Sequence, residues 1–161
     1  MDGQPAHESL QKIETSFFQT PVFQALTIGI PFCIFKLLFG VLNIRAGAGQ
    51  QSLLVILAYF IIIWASVDLI MNLAVVAFNT AGRKSPVEFC TIAQIGRLFG
   101  RPKLFLAIDT LIAFCIISFV LWSGWIRLLN ITESYLWVGA TTLNLISISI
   151  VNIWLELRRR P

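Results

Sequence analysis

SVDLIMNLAVVAFN, residues 66–79, is the stretch on which the fold turns. Asp68 and Asn72 stand one helical turn apart in it, and apart from Ser66 and Asn79 at its two ends the rest is apolar. Extended both ways, the stretch belongs to an apolar block over residues 53–78. Such a block carries no alternation of apolar and polar residues, so it does not read as a membrane strand. It is long enough to cross a hydrocarbon core as a helix, which needs about 20 residues. A helix is then the only way to satisfy its backbone in lipid.

Three further blocks of that kind follow from the same reading, at residues 22–42, 104–126 and 135–155. The chain of 161 residues is 57% hydrophobic and 12% charged, with a mean hydropathy of +0.82. A soluble domain needs more polar surface than this. The expected fold is an all-α integral membrane domain over residues 1–161, with four transmembrane helices in an antiparallel bundle. The N-terminal segment, with Lys12 against Asp2, Glu8 and Glu14, does not read as a cleavable signal.

Lys and Arg set the orientation. Lys12, Arg83, Lys84, Arg97, Arg101, Lys103, Arg158, Arg159 and Arg160 fall on one side. Arg45 and Arg127 fall on the other. The positive-inside rule puts both termini, residues 1–21 and 156–161, and the connection over residues 79–103 in the cytoplasm. The plasma (inner) membrane is the expected location. The basic residues from Arg83 to Lys103 and the tail Arg158, Arg159 and Arg160 read as anchors to anionic head groups, with no call for nucleic acid. Trp122, Trp125, Tyr135 and Trp137 fall where outer interfacial rings belong.

The connections add detail. Ser85-Pro86-Val87-Glu88 fits a capping box with proline at the first helical position. The stretch from there to Phe99 is amphipathic, and Gly100 and Pro102 stop it, which predicts an interfacial helix between the second and third spans. Leu10, Ile13 and Phe17 predict a shorter one before the first span. Asn130-Ile131-Thr132 matches a glycosylation acceptor placed too close to the bilayer for use.

Each span carries one small or polar face at a helical period. The second has Trp64, Asp68, Asn72 and Asn79. The fourth has Thr141, Asn144, Ser147 and Asn152. The third has Asp109 with Ala113, Ile116 and Ser123. The first has Ala25, Gly29, Cys33, Lys36 and Gly40. Such faces pack inward. With a rise of ~1.5 Å per residue, Asn72, Asp109 and Asn152 fall about 9–10 Å to the cytoplasmic side of the midplane and Asp68 about 4 Å. Asn144 is near the middle, and Lys36 is about 6 Å to the outer side.

An intramembrane charge costs about 2.5–3.5 kcal/mol on insertion scales, so Asp68 and Asp109 need a reason. Pairing of Asp68 with Lys36, protonation of either acid, or water entering from the cytoplasm would supply one. Lys36 either pairs with Asp68 or snorkels to the outer interface. Pro31 frees the carbonyl of Thr27, which the Thr27 hydroxyl or a neighbouring helix can satisfy.

Nothing points to chemistry on a substrate. The single histidine, His7, is outside the spans. Cys33, Cys90 and Cys115 have neither metal nor redox spacing. No catalytic residue, metal or cofactor is expected, and the chain is expected not to be an enzyme. The leading expectation is a non-enzymatic accessory or interaction subunit of a membrane assembly. Its surroundings would be the lipid bilayer, copies of itself or other membrane subunits. The rival is an oligomeric proton- or cation-coupled transporter or channel using Asp68 and Asp109. Lys36, Asn72, Asn144 and Asn152 complete its candidate ion site.

Overall fold

The computed structural model describes residues 20–47 and 52–159. These residues are all-helical, without strands, and four helices are long and apolar enough to cross a membrane. We label the elements α1 (Pro21–Gly47), α2 (Ser52–Thr80), α3 (Thr91–Leu98), α4 (Pro102–Trp122) and α5 (Ile131–Arg159). The expected helix around Leu10, Ile13 and Phe17, the middle of the first outer loop, and Arg160 lie outside the described residues.

Local chemistry explains the ends. Pro21 opens α1 behind Thr20, whose Oγ1 accepts the Phe23 N–H at 3.3 Å. The Ala25–Gly29 turn of α1 is π-helical, immediately before Pro31, which has no N–H to give. The Thr27 hydroxyl bonds the Phe23 carbonyl at 2.8 Å rather than its own freed carbonyl.

Three boundaries depart from the sequence reading. The third span ends at Trp122 rather than at residue 126, because Gly124 turns left-handed at φ 74 and a 3-10 turn over Trp125–Leu128 follows. The last helix starts at Ile131. Asn130 Oδ1 accepts the Glu133 N–H at 2.8 Å, and Glu133 Oε2 accepts the Asn130 N–H at 2.8 Å. This reciprocal capping box is what the glycosylation-like triplet encodes. The box expected at Ser85 does not form. Ser85 Oγ instead accepts the Val87 N–H at 3.2 Å, and the helix begins at Thr91 behind Cys90, whose Sγ accepts the Ala93 N–H at 3.4 Å. Gly100, at φ 68, closes it, with the Arg101 N–H returning to the Gly96 carbonyl at 2.9 Å.

α1 takes the centre. Half of its most apolar window is buried, against 22% for each of the other three long helices. No two of those three pack on each other as closely as each packs on α1. The apolar core is built around Phe32, Phe35, Leu38 and Leu42 of α1, with Ala113, Ile116 and Val120 of α4 and Trp137 and Ala140 of α5. Trp137 is therefore a core ring and not an interfacial one: it is 4% exposed and packs edge-on against Phe35 at 4.9 Å.

The face of α1 toward α2 is different. Gly40 lets the two backbones approach, since a Cβ there would stand 2.4 Å from Ile62 Cγ1. Ala58 and Ala65 of α2 are fully buried. Below them the seam between the two helices turns polar.

Candidate functional site

Three charged side chains from three helices meet inside the protein. Lys36 Nζ of α1 lies 2.9 Å from Asp68 Oδ2 of α2 and 2.5 Å from Asp109 Oδ1 of α4. Lys36 is 1% exposed, Asp68 0% and Asp109 4%. The ammonium also sits 4.4 Å from the centre of the Trp64 ring, a cation–π distance. Two carboxylates and one aromatic face thus surround it. Snorkelling of Lys36 to the outer interface is excluded by this placement: pairing satisfies the ammonium where an unpaired one would be costly.

The other oxygen of Asp68 is occupied as well. Asp68 Oδ1 accepts the Thr91 N–H at 2.7 Å and the Thr91 hydroxyl at 2.8 Å. Trp64 Nε1 donates to that hydroxyl at 2.6 Å. Asp68 therefore receives the first turn of α3, where unpaired N–H groups and the helix dipole favour an anion. Asn72, one turn further, holds the chain just before that helix. Its Nδ2 donates to the Phe89 carbonyl at 2.7 Å and to the Asp68 carbonyl at 2.9 Å. The Glu88 N–H is taken up by Gln94 Oε1 at 3.0 Å.

These bonds show that the connection after α2 folds back along it. Asp68 is twelve residues before Thr80, the last residue of α2, or about 18 Å back along the axis. Thr91 has returned to that level. Buried irregular backbone must be satisfied by other groups of the protein. Asp68 and Asn72 do this, which is why an otherwise apolar helix carries them.

The remaining candidate residues separate. Asn144 is buried on α5 at 4% exposure and bonds to none of the three charged groups; its Oδ1 has no hydrogen-bond partner. Asn152 is exposed on α5 and borders a small recess with Ser147 and Ile28. Of the three residues expected on one polar level, Asn72 and Asp109 line one cavity and Asn152 is not among its lining residues. Level alone did not say which way each side chain faces. Arg83, Lys84, Arg97, Arg101 and Lys103 are exposed. The Arg97 guanidinium donates to the Pro86 carbonyl at 3.1 Å.

Residues that the sequence reading did not assign to the site complete it. Thr91, Phe89 and Cys90 line it or bond into it, and Gly29, from the small face of the first span, lines the adjoining cavity. The one available signal was that a buried carboxylate needs several donors and a helix start offers them. The Ser85 capping match pointed to the wrong start.

A cavity of about 290 Å3 opens beside the centre. Asp109, Asn72, Cys33, Cys90 and Thr110 are among its lining residues, within a wall of Ile and Phe side chains. Cys90 and Asp109 share this wall. Burial pushes the Cys90 thiol up to about 12, with the negative charge of Asp109 adding to the effect. Cys90 is thus a neutral thiol at physiological pH, a poor nucleophile but a weak donor. The chain matches no family model, no curated protein and no solved structure.

Proposed function

We propose that the protein is a multi-pass membrane protein with a proton- or cation-linked step at Asp109. The four long helices cross as an antiparallel bundle, with both termini and residues 79–103 on the cytoplasmic side. α3 dips into the bundle at Thr91 and returns to the surface at Leu98 and Phe99, which are 83% and 69% exposed. There Arg97, Arg101 and Lys103 meet anionic head groups.

The observation that carries this reading is an unequal pair of carboxylates. One ammonium against two ionised acids leaves one negative charge uncompensated at the centre. Asp68 has both oxygens held by fixed donors. Asp109 has one oxygen on Lys36 and belongs to the cavity wall. The uncompensated charge is therefore best exchanged at Asp109, by taking a proton or pairing with an entering cation. Intramembrane acids that face a cavity are the usual carriers of such steps.

The test is flux in liposomes of the purified protein, compared with Asp109→Asn. A loss of about tenfold or more, the factor for 1.4 kcal/mol of differential interaction, supports the reading. Equal flux in both proteins overturns it. A four-helix chain makes a thin pathway, so the active form on this reading is an oligomer.

A second reading rests on Asp68. A carboxylate with every bond committed ties α1, α2 and α3 together and behaves as a clamp, as suits a non-enzymatic accessory subunit of a membrane assembly. Purification in mild detergent distinguishes it. A stoichiometric membrane partner seen by mass spectrometry favours the accessory role, and isolated protein alone removes its basis.

A further inference from the structure

Asp109 and Thr110 bring acceptors to the cavity wall, beside the Gln24 amide and the Cys33 and Cys90 thiols, which can donate. Asp109 brings a carboxylate with an unbalanced charge. Thr110 spends its hydroxyl proton on the Leu106 carbonyl at 3.0 Å, so its oxygen is left to accept. Asn72 is 1% exposed, and its Oδ1 has no hydrogen-bond partner. The orientation of that amide is fixed by chemistry: a flipped Asn72 would set its oxygen against the Phe89 and Asp68 carbonyls. Gly29 lies directly against this oxygen, where a Cβ would stand 1.9 Å away. A buried acceptor without a donor is costly.

Among the described residues, no Lys, Arg or His lines the cavity. Its wall is mostly Ile, Leu and Phe, with Gln24, Cys33 and Cys90 as its other polar side chains. An anion finds no cation there, only the Gln24 amide and two thiols as donors. A bare divalent metal finds too few oxygens, since such ions take about six or more. A cation with its own N–H donors and an apolar body fits both the acceptors and the aromatic wall.

We propose that this cavity binds a small lipophilic ammonium ion, with Asp109 as its counter-ion. The proposal rests on the reading of Asp109 as the exchangeable charge and names the cation class that exchanges there. The carboxylate faces one ammonium already, on Lys36, and the ligand ammonium neutralises the remaining charge.

The full chain in detergent is titrated with 2-phenylethylammonium, with 2-phenylethanol and 3-phenylpropionate as neutral and anionic analogues. The ammonium is expected to bind at least about tenfold more tightly than either analogue, and Asp109→Asn to weaken it by about tenfold or more. Equal binding of the alcohol, or no change in Asp109→Asn, overturns the proposal. Ile148→Trp fills the cavity from the exposed face of α5 without touching a charged group. It is expected to abolish binding even if Asp109→Asn does not fold, and unchanged binding overturns the proposal. Competition by short-chain phosphatidylethanolamine, and not by phosphatidylcholine, identifies a lipid headgroup as the source; its absence identifies a free amine. Flux that depends on Asp109 without ammonium binding removes the ligand class and keeps the coupled step. Ammonium binding without flux keeps this site and removes the coupled step.

Discussion

Two charged centres tie α1 to its neighbours, and they are built on opposite physics. The inner one is Lys36 with Asp68 and Asp109, all but sealed from solvent. The outer one is Arg45 with Glu133, whose side chains are 35% and 15% exposed. In the outer centre the guanidinium meets both carboxylate oxygens at 2.6 Å and also donates to the Leu128 carbonyl. Its geometry is the better of the two, yet solvent can replace either partner. In the inner centre bulk solvent does not replace a lost partner of Lys36 or Asp68, and Asp109 alone of the three borders a cavity. Good geometry thus orients the outer centre, while burial makes the inner one all-or-none.

The largest expected effect follows directly. Lys36→Met keeps the length of the side chain and leaves two carboxylates buried without a cation. Breaking a buried pair from one side costs about 3–5 kcal/mol, and thermal unfolding in detergent should show a loss of that order. The sharper form is the triple variant Lys36→Met, Asp68→Asn, Asp109→Asn. It removes charge as well as pairing and should recover most of the lost stability. Recovery would separate the cost of stranded charge from the worth of the bonds. A triple variant as unstable as Lys36→Met would refute that separation.

Asp68→Asn comes next. Its amide oxygen can still accept from Thr91, and Lys36 keeps Asp109. The bonds weakened are those to a charged acceptor, worth about 1.5–3 kcal/mol. Hydrogen exchange should rise at Thr91 and along α3 before it rises elsewhere, because Asp68 holds the start of that helix. Uniform exchange would mean that Asp68 does not hold the connection.

Those two variants also show what could be read from the chain alone. The polar stripe of α2 was legible because a 3.6-residue period puts Asp68 and Asn72 on one face whatever they touch. Lys36 was legible as a partner for Asp68 because few cations lie within the spans. The second partner, Asp109, was legible by level and not by direction. Asn152 shares that level and faces outward. The return of Thr91 was not legible. It is a contact across 23 residues of chain that includes irregular backbone, and no local pattern encodes where such a segment stops. Ser85-Pro86 carries a helix-start signal, yet the Ser85 hydroxyl is spent on its own turn. The start of α5 failed for the opposite reason: Asn130 and Glu133 are a correct start signal hidden by the apolar pattern, which runs on only from residue 135.

Asn72→Leu tests the connection without touching a charge. It exposes the Phe89 carbonyl to an apolar neighbour, but it also removes the unpartnered Asn72 Oδ1. These offset in part, so the expected loss is about 1–2 kcal/mol, toward the low end for an orphaned buried group. A loss as large as that of Lys36→Met would move the weight of the inner centre from its charges to its amide.

The smallest effect should come from the outer centre, and salt is the way to see it. Glu133→Gln removes the charge while keeping the capping box, because glutamine can still accept the Asn130 N–H. The difference in melting midpoint between wild type and Glu133→Gln should therefore report the ion pair alone. At 1 M salt the screening length falls to about 3 Å, against about 8 Å at physiological strength, and that difference should shrink toward nothing. The difference between wild type and Lys36→Met should change far less over the same range, since Lys36 and Asp68 are almost wholly buried and Asp109 alone of the three borders the cavity. If both differences fall together, the inner centre is open to solvent, and an all-or-none account of it is wrong. If neither falls, Arg45 is held by the Leu128 carbonyl and its fork geometry more than by the charge of Glu133.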